Sequence, residues 1–265
     1  AAGSAGRSGP IDQMTDFLLV HGAGQGAWSW GRVWGYLTAP VEHPPRLYAP
    51  RRANRVYSLD LPGHGGSTKD VGDGSLEDFA DTLSDFMAAL DIANAHLVGH
   101  SMGGAIALTF ALAHPDLTSS LTLIGSAGLG AEIDGAYIDG FVHARRRRDL
   151  KSHLEKLFSD PSLITRQLVE DVLKYKRLDG VQDALATVAG QLFPGGRQAA
   201  VLRDQLDQLQ LPVQVICGVE DRIIPPSHAL GLPADVATHT VTGAGHMVQM
   251  EASAEVNRLI RILAG

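Results

Sequence analysis

The fold of this chain is decided by the stretch AHLVGHSMGG, residues 95–104. The short apolar run at residues 95–98 is typical of a buried strand, and the apolar pattern at 102–114, stopped by Pro115, is typical of a helix. Between them a G-x-S-x-G pattern places Ser101 on a tight strand-to-helix turn. An isolated match is more often a turn that only starts a helix, but here the flanking elements favour an exposed, reactive serine.

Outward from this stretch, apolar runs bounded by glycine alternate with helical patterns. Further strands are predicted at residues 17–20, 55–60, 121–124, 213–216 and 238–241, and further helices at 76–90, capped by Ser75, and at 252–263. The alternation predicts an α/β fold with a mostly parallel sheet of about six or more strands flanked by helices.

Three segments depart from this alternation. Residues 128–210 contain several helical patterns and no convincing strand, so we expect a helical insertion after the fourth recognisable strand. Residues 38–54 are rich in Pro and Arg and long for a connection between a helix and a strand. Residues 1–15 are expected to be a flexible leader or an expression remnant, and residues 16–265 a single domain.

Composition excludes several classes of protein. The chain has 265 residues, 45% of them hydrophobic, and its 22 basic and 29 acidic residues give a net charge of −7, with no basic footprint for nucleic acid or an anionic membrane. The lone Cys217 excludes an intrachain disulfide and a cysteine zinc site. Neither a membrane span nor a secretory signal is recognisable. We expect a soluble, cytoplasmic protein that uses neither a cofactor nor a metal.

Two further segments supply what a serine nucleophile needs. A hydroxyl requires a base to remove its proton; His246 follows the last predicted strand, and Asp221 follows the fifth. The carboxyl ends of parallel strands lie at one edge of a sheet, so Ser101, Asp221 and His246 should converge there, in the chain order that this type of sheet uses. Asp221 would hold the imidazole tautomer while His246 takes and returns the proton.

Acyl transfer also needs N–H donors for the developing oxyanion. We expect one from Met102 and one from Ala23, in the glycine-rich loop after the first strand. That loop, GAGQGA at residues 22–27, also fits a dinucleotide fingerprint. The fingerprint needs an acidic residue at the end of the next strand about 20 residues on, but the next strand reaches Asp60 only later, so this alternative is disfavoured.

Together these residues resemble the α/β-hydrolase superfamily over nearly the whole chain. The resemblance implies that Ser101 is the nucleophile, Asp221 the acid and His246 the base, with Ala23 and Met102 as oxyanion donors. It also implies that residues 128–210 are a cap shaping the acyl pocket, and that the segment LDLPGHG, residues 59–65, is mainly structural.

Within the superfamily, different parts of the chain resemble different families. From about residue 59 the chain resembles the catalytic domain of the acetoin dehydrogenase complex acyltransferase component, on GAYIDGF (135–141), YKRLDG (175–180), FPGGR (193–197) and GAGHMVQME (243–251). Residues 17–36, with HGAGQGAWSW at 21–30, are more similar to salicylate esterases and hydroxynitrile lyases. A natural or an engineered mosaic would explain both.

Differences between this chain and these families reduce the number of reactions that we expect it to catalyse. We expect no lipoyl carrier here, because few residues precede the first strand, whereas a lipoyl substrate on another chain stays open. The lyases carry a lysine directly after the histidine where this chain has Met247, which disfavours cyanohydrin cleavage. We therefore expect a serine hydrolase that cleaves the carboxylic ester or thioester of a small-molecule acyl substrate through an acyl-enzyme. The alternatives are acyl transfer to a thiol such as dihydrolipoamide, and a non-catalytic binding protein with the hydrolase fold.

Secondary features carry weaker predictions. The run Arg145-Arg146-Arg147-Arg148 is expected to be a solvated helix face rather than an anion site for phosphates such as those of coenzyme A. The tryptophans at 28, 30 and 34 should pin the oxyanion loop to the core. An aromatic set in the insertion should pack the cap and could line an acyl pocket: Tyr137, Phe141, Phe158, Tyr175 and Phe193.

Overall fold

The protein was analysed as a computed structural model, which describes residues 15–38 and 54–265. The predicted leader, apart from Thr15, lies outside the described residues. So does the predicted connection at 38–54, apart from its two end residues.

Six strands form one sheet in which every neighbouring pair is parallel. They are β1 (Asp16–Val20), β2 (Arg55–Ser58), β3 (Ala95–His100), β4 (Thr118–Ile124), β5 (Val213–Gly218) and β6 (Val236–Val241), in the spatial order β2-β1-β3-β4-β5-β6. All the predicted strands are present, so the predicted fold class is confirmed. Because all are parallel, their carboxyl ends share one edge.

Helices cover both faces of this sheet, which explains why its strands are apolar throughout. On β1, Phe17 and Leu19 pack in one core cluster with the last helix, whereas Leu18 and Val20 pack in the other with the helices that follow β2 and β3. The flanking helices are α1 (Gly31–Thr38), α2 (Leu76–Ala89), α3 (Met102–Ala113), α8 (Val248–Glu251) and α9 (Ser253–Ala264).

The helix boundaries follow local signals in most places. Ser75 caps α2 as predicted, its hydroxyl accepting a hydrogen bond from the Asp78 amide at 3.2 Å. The helix predicted at roughly 252–263 is α9, and Ala252, with φ −125° and ψ 43°, is its N-cap and separates it from the short helix α8, which the sequence did not predict.

The helical insertion, residues 128–210, leaves the sheet after β4 and returns at β5, its neighbour. It contains α4 (Gly135–His143), α5 (Arg147–Leu154), α6 (Arg166–Lys176) and α7 (Val181–Leu192) and no strand, as predicted. Among the described residues, no helix combines the length and apolar character needed to cross a bilayer.

Candidate active site

Ser101 lies between β3 and α3 in a backbone conformation that non-glycine residues rarely adopt, with φ 55° and ψ −123°. Such a residue costs about 1–3 kcal/mol and persists only where its surroundings enforce it. Here its amide donates to the Ile124 carbonyl at 3.0 Å, and its carbonyl accepts from the Gly104 and Ala127 amides at 2.9 and 3.0 Å. The turn therefore holds Ser101 at the carboxyl edge of the sheet.

The glycines around Ser101 are required by close backbone approach. A Cβ atom on Gly103 would overlap the carbonyl oxygens of Val20 and His21 at the end of β1, and one on Gly99 would overlap the carbonyl of Gly103. The backbone can turn this sharply against the neighbouring strand only because both positions lack a side chain.

Asp221 and His246 form a buried pair at the same edge. His246 Nδ1 donates to Asp221 Oδ2 at 2.8 Å, and the other carboxylate oxygen accepts the amides of Ile223 and Ile224 at 2.8 and 3.0 Å. Burial acts to raise the pKa of Asp221, but the attraction of His246 and these hydrogen bonds hold it below its ordinary value. The carboxylate therefore stays ionised and accepts the hydrogen bond of Nδ1, which fixes the orientation of the ring.

The imidazole of His246 lies beside His100, which precedes Ser101, and beside Gly125, which follows β4. The rings of His100 and His246 are 4.8 Å apart, and His100 Nε2 donates to the His246 carbonyl at 2.9 Å. On the other side, a Cβ atom on Gly125 would lie 3.3 Å from His246 Nδ1. The structure thus places the three predicted residues at one edge, but within the described residues no hydrogen bond joins the Ser101 hydroxyl to His246. Catalytic hydrogen bonds often tighten only when substrate binds.

The loop after β1 lies against the serine turn, since a Cβ atom on Gly22 would be 2.9 Å from Ser101 Cβ. In this loop the Gly24 amide donates to His64 Nε2 at 2.9 Å and the Gln25 amide donates to the Gly22 carbonyl at 3.2 Å. Within the described part of the chain the Ala23 amide has no such partner. The Met102 amide is in the first turn of α3, where amides lack intrahelical acceptors. Both predicted oxyanion donors are thus available.

Three buried histidines around the site were not predicted as a group. The Leu61 amide donates to Nε2 of His21 at 3.0 Å, and the Gly24 amide donates to Nε2 of His64 at 2.9 Å. Because each Nε2 accepts a hydrogen bond, neither carries a proton. Burial lowers the pKa of His21 to about 4, and burial followed by repulsion from His21 lowers that of His64 to about 3. Burial and repulsion from His246 lower the pKa of His100 to about 3. The sequence signals are the glycine-flanked position of His64, the position of His21 before the glycine-rich loop, and that of His100 directly before Ser101, which predicts that it packs beside the serine.

Glu251 is a second residue that sequence reasoning missed. One carboxylate oxygen accepts the amides of Ser159 and Asp160 at 2.8 and 3.1 Å, and the other accepts the Gly245 amide at 2.7 Å. Glu251 therefore ties the loop that carries His246 to the helical insertion. The Met247 amide, which donates to Leu157 O at 3.1 Å, adds to this attachment.

Two cavities lie between the loop after β1 and the helical insertion, and they share Ala23, Tyr137 and Phe141. A third adjoins Met102 and Ala105 and shares Phe193 with one of them. Four members of the predicted aromatic set line these cavities: Tyr137, Phe141, Phe158 and Phe193. The fifth, Tyr175, is not in their lining and donates its hydroxyl to the Gly63 carbonyl at 2.7 Å.

The remaining predictions concern charge and the tryptophans. All four arginines at 145–148 are exposed, as predicted, but only Arg147 and Arg148 belong to a helix, because α5 begins at Arg147. Arg146 pairs with Asp149 and Arg147 with Glu170. Trp30 is fully buried in the core; the side chains of the other two tryptophans lie outside the description. Among the described residues, no group of three or more His, Cys, Asp or Glu could hold a metal ion.

Comparison with known proteins gives the same fold. A family model described as "Alpha/beta hydrolase family" matches residues 17–259. The dihydrolipoyllysine-residue acetyltransferase component of the acetoin cleaving system of Pseudomonas putida is 45% identical over 244 residues, which cover 92% of this chain and 62% of that protein. This chain thus spans less than two thirds of the length of that relative.

More distant relatives are hydrolases. The 2-hydroxy-6-oxononadienedioate/2-hydroxy-6-oxononatrienedioate hydrolase of Comamonas testosteroni is 30% identical over 257 residues, covering 91% of this chain and 85% of that protein. Among solved structures, a meta-cleavage product hydrolase from Pseudomonas fluorescens IP01 superposes with a TM-score of 0.80 at 23% identity, covering 96% and 91% of the two chains. At that identity the likeness concerns the fold alone.

Proposed function

This chain belongs to the alpha/beta hydrolase family, and from that premise we propose that it is a serine hydrolase that cleaves a carboxylic ester or thioester. The observation that carries the proposal is the buried Asp221–His246 hydrogen bond of 2.8 Å at the sheet edge where Ser101 occupies its strained turn. A binding protein of this fold would need neither the ionised Asp221 nor the positive φ of Ser101.

The proposed reaction proceeds through an acyl-enzyme. Ser101 Oγ attacks the acyl carbon while His246 Nε2 takes its proton, and Asp221 stabilises the imidazolium that forms. The amides of Ala23 and Met102 bind the oxyanion. His246 then returns the proton to the leaving group, and water, activated by the same imidazole, releases the acid and restores Ser101.

We further propose that the helical insertion is a cap over this site. It supplies most of the lining of the two cavities beside Ala23, and apart from Gln25 the lining residues of both are apolar or aromatic or glycine. Such a surface favours an uncharged acyl group, because a charged group buried without a partner is costly.

A second candidate, acyl transfer to a thiol such as dihydrolipoamide, is favoured by the 45% identity to the acetyltransferase component from Pseudomonas putida. The first steps would be the same, with a thiol in place of water as the acyl acceptor. Measuring how the acyl-enzyme partitions with and without an added dithiol separates the two. Faster turnover accompanied by thioester product would indicate a transferase, whereas an unchanged rate of acid release would indicate a hydrolase.

The catalytic role of Ser101 is tested by labelling and by substitution. We expect a fluorophosphonate to form an adduct on Ser101, located by mass spectrometry, and Ser101→Ala to lower the hydrolysis of p-nitrophenyl esters by several orders of magnitude, with a residual rate from the oxyanion donors. Ser119→Ala, on β4 and hydrogen-bonded to Asn94, is the matched control and should react normally. Absence of an adduct on Ser101, or full activity of Ser101→Ala, would refute the mechanism and favour a non-catalytic protein.

A further inference from the structure

We propose that Lys176 is a positioning residue that fixes the Phe141 ring as a wall between two acyl-binding cavities, and thereby sets the acyl length that the enzyme accepts. The inference rests on the proposed function, because it assigns the two cavities beside Ala23 to the acyl group. Lys176 belongs to the helical insertion and has no role in the proposed chemical steps.

Lys176 is the last residue of α6 and only 3% exposed. Its ammonium group donates to the Phe141 and Val142 carbonyls at 2.6 and 3.1 Å, in the last turn of α4, where carbonyls lack intrahelical donors. Within the described residues no carboxylate pairs with it. A buried cation without an anion is unfavourable, so its position depends on what it contacts in α4.

The same ammonium group also contacts the Phe141 ring. Lys176 Nζ lies 4.6 Å from the ring centroid, within the range of a cation–π interaction, which strengthens when it is shielded from water. The Cε1 and Cζ atoms of the ring lie so close to the loop after β1 that a Cβ atom on Gly24 would overlap them. The ring is thus in contact with both Lys176 and Gly24, which is one residue from the proposed oxyanion donor Ala23.

Phe141 lies where the two cavities meet. Both cavities are lined by Ala23, Tyr137 and Phe141, but their other walls differ. One extends toward Phe158, and the other toward Val188 on α7. A fixed ring keeps them apart, so an acyl chain beside Ala23 fills one of them. A ring released from Lys176 would let the two spaces join and admit a longer chain.

The test compares acyl-length profiles, kcat and KM for p-nitrophenyl esters of two to twelve carbons, in four proteins. The wild type is compared with Lys176→Met, which keeps the side-chain length, with Phe141→Ala, and with Lys174→Met. Lys174 is on the same helix and 69% exposed, so its variant is the matched control. We expect Lys176→Met and Phe141→Ala to move the optimum to longer chains. For the ester that the wild type prefers, kcat/KM of both variants should fall about tenfold, mainly because KM rises. A tenfold change corresponds to the free energy of one cation–π contact shielded from water. Lys174→Met should leave the profile unchanged.

A uniform loss of kcat at every chain length would instead indicate a merely structural role and overturn the proposal, as would an unchanged optimum in Lys176→Met and Phe141→Ala. Where Lys176→Met does not fold, Lys176→Gln, which retains donors for the carbonyls but no charge, takes its place with the same expected shift.

The failure of this proposal is distinct from failure of the proposed function. If the wild type is labelled on Ser101 and hydrolyses esters but the variants keep its optimum, only the wall is refuted. If the wild type hydrolyses no ester, the proposed function fails. The wall is then tested by calorimetric binding of linear alcohols of four to ten carbons, where the same shift in preferred length supports it and an unchanged preference refutes it.

Discussion

The three buried histidines beside the site predict an unusually steep loss of stability on mild acidification. In the unfolded chain a histidine has a pKa near 6.5, whereas burial lowers it to about 4 for His21 and to about 3 for His64 and His100. Because the pKa is lower in the folded protein, the unfolded chain binds more protons below pH 6.5. The stabilising contribution of each neutral imidazole is therefore complete above pH 6.5 and is lost progressively as the pH falls toward 4 and 3.

The size of the effect follows from these values. At pH 5, which is 1.5 units below the unfolded pKa, each histidine lowers the free energy of unfolding by about 2 kcal/mol, since one unit corresponds to about 1.4 kcal/mol. The three together remove about 6 kcal/mol, comparable with the total stability of many domains, about 5–15 kcal/mol. His96 and His239, whose pKa values burial also lowers, act in the same direction. Carboxylates contribute little here because they remain largely ionised between pH 7 and 5.

Urea unfolding at pH 7, 6 and 5 measures this loss directly. We expect the free energy of unfolding to fall most steeply below pH 6. The His64→Gln variant removes one of the three buried rings, so the part of the pH dependence that these rings contribute should be about a third smaller. His143→Gln is the matched control, because it makes the same replacement at a side chain of α4 that is 69% exposed. A free energy of unfolding that is flat between pH 7 and 5, or an identical slope in His64→Gln, would refute the assignment of these rings as buried and neutral.

Three further predictions concern the close contact of Gly103 with β1, the proposed role of Asp221, and the hydrogen bonds by which Glu251 ties the loop of His246 to the helical insertion. Gly103→Ala should lower the free energy of unfolding by about 1–3 kcal/mol because its methyl group overlaps two carbonyls, whereas Gly190→Ala, in α7 with open space around it, should raise it by about 0.5–1 kcal/mol; equal effects in a thermal melt would contradict the turn geometry. Asp221→Asn should lower kcat by about 10⁴-fold by favouring the wrong imidazole tautomer without unfolding the protein, and a loss below tenfold would argue against the triad. Glu251→Ala removes the acceptor of three backbone amides and should lower kcat about tenfold. Glu255→Ala, at an exposed glutamate, is the control and should not lower it. Steady-state kinetics of the two variants side by side measure the difference.

The elements that sequence could predict are those governed by local patterns. The strands are recognisable because both faces of a parallel sheet are covered, so each strand is a continuous apolar run. Ser101 and its glycines lie within five consecutive residues, so the strained turn has a local signature. Asp221 and His246 follow from topology alone, because each comes directly after a strand whose carboxyl end lies at the shared edge.

The features that sequence could not predict depend on contacts between distant segments. His21 and His64 are kept neutral by burial, and their Nε2 atoms accept amides 40 residues away in the chain, a pairing that no local pattern encodes. Lys176 occupies a helix of mixed polarity in which a lysine is ordinarily solvated, and its burial depends on the end of α4, about 35 residues earlier. The interruption at Ala252 also lacks a glycine or proline signal.

The insertion between β4 and β5 has a consequence for how such a chain can diversify. These strands are direct parallel neighbours, and near the carboxyl end of β4 the insertion closes on itself. The Gly128 carbonyl accepts the Leu202 amide at 2.6 Å, and the Ala131 carbonyl accepts the Gln198 amide at 2.9 Å, so the intervening helices begin and end beside each other. The entropic cost of closing a loop rises only slowly with its length. Residues 128–210 could therefore be lengthened, shortened or exchanged by recombination while the strand register and the Ser101 turn persist. If the proposed function holds, selection can alter which acyl groups are accepted without rebuilding the residues proposed to cleave them.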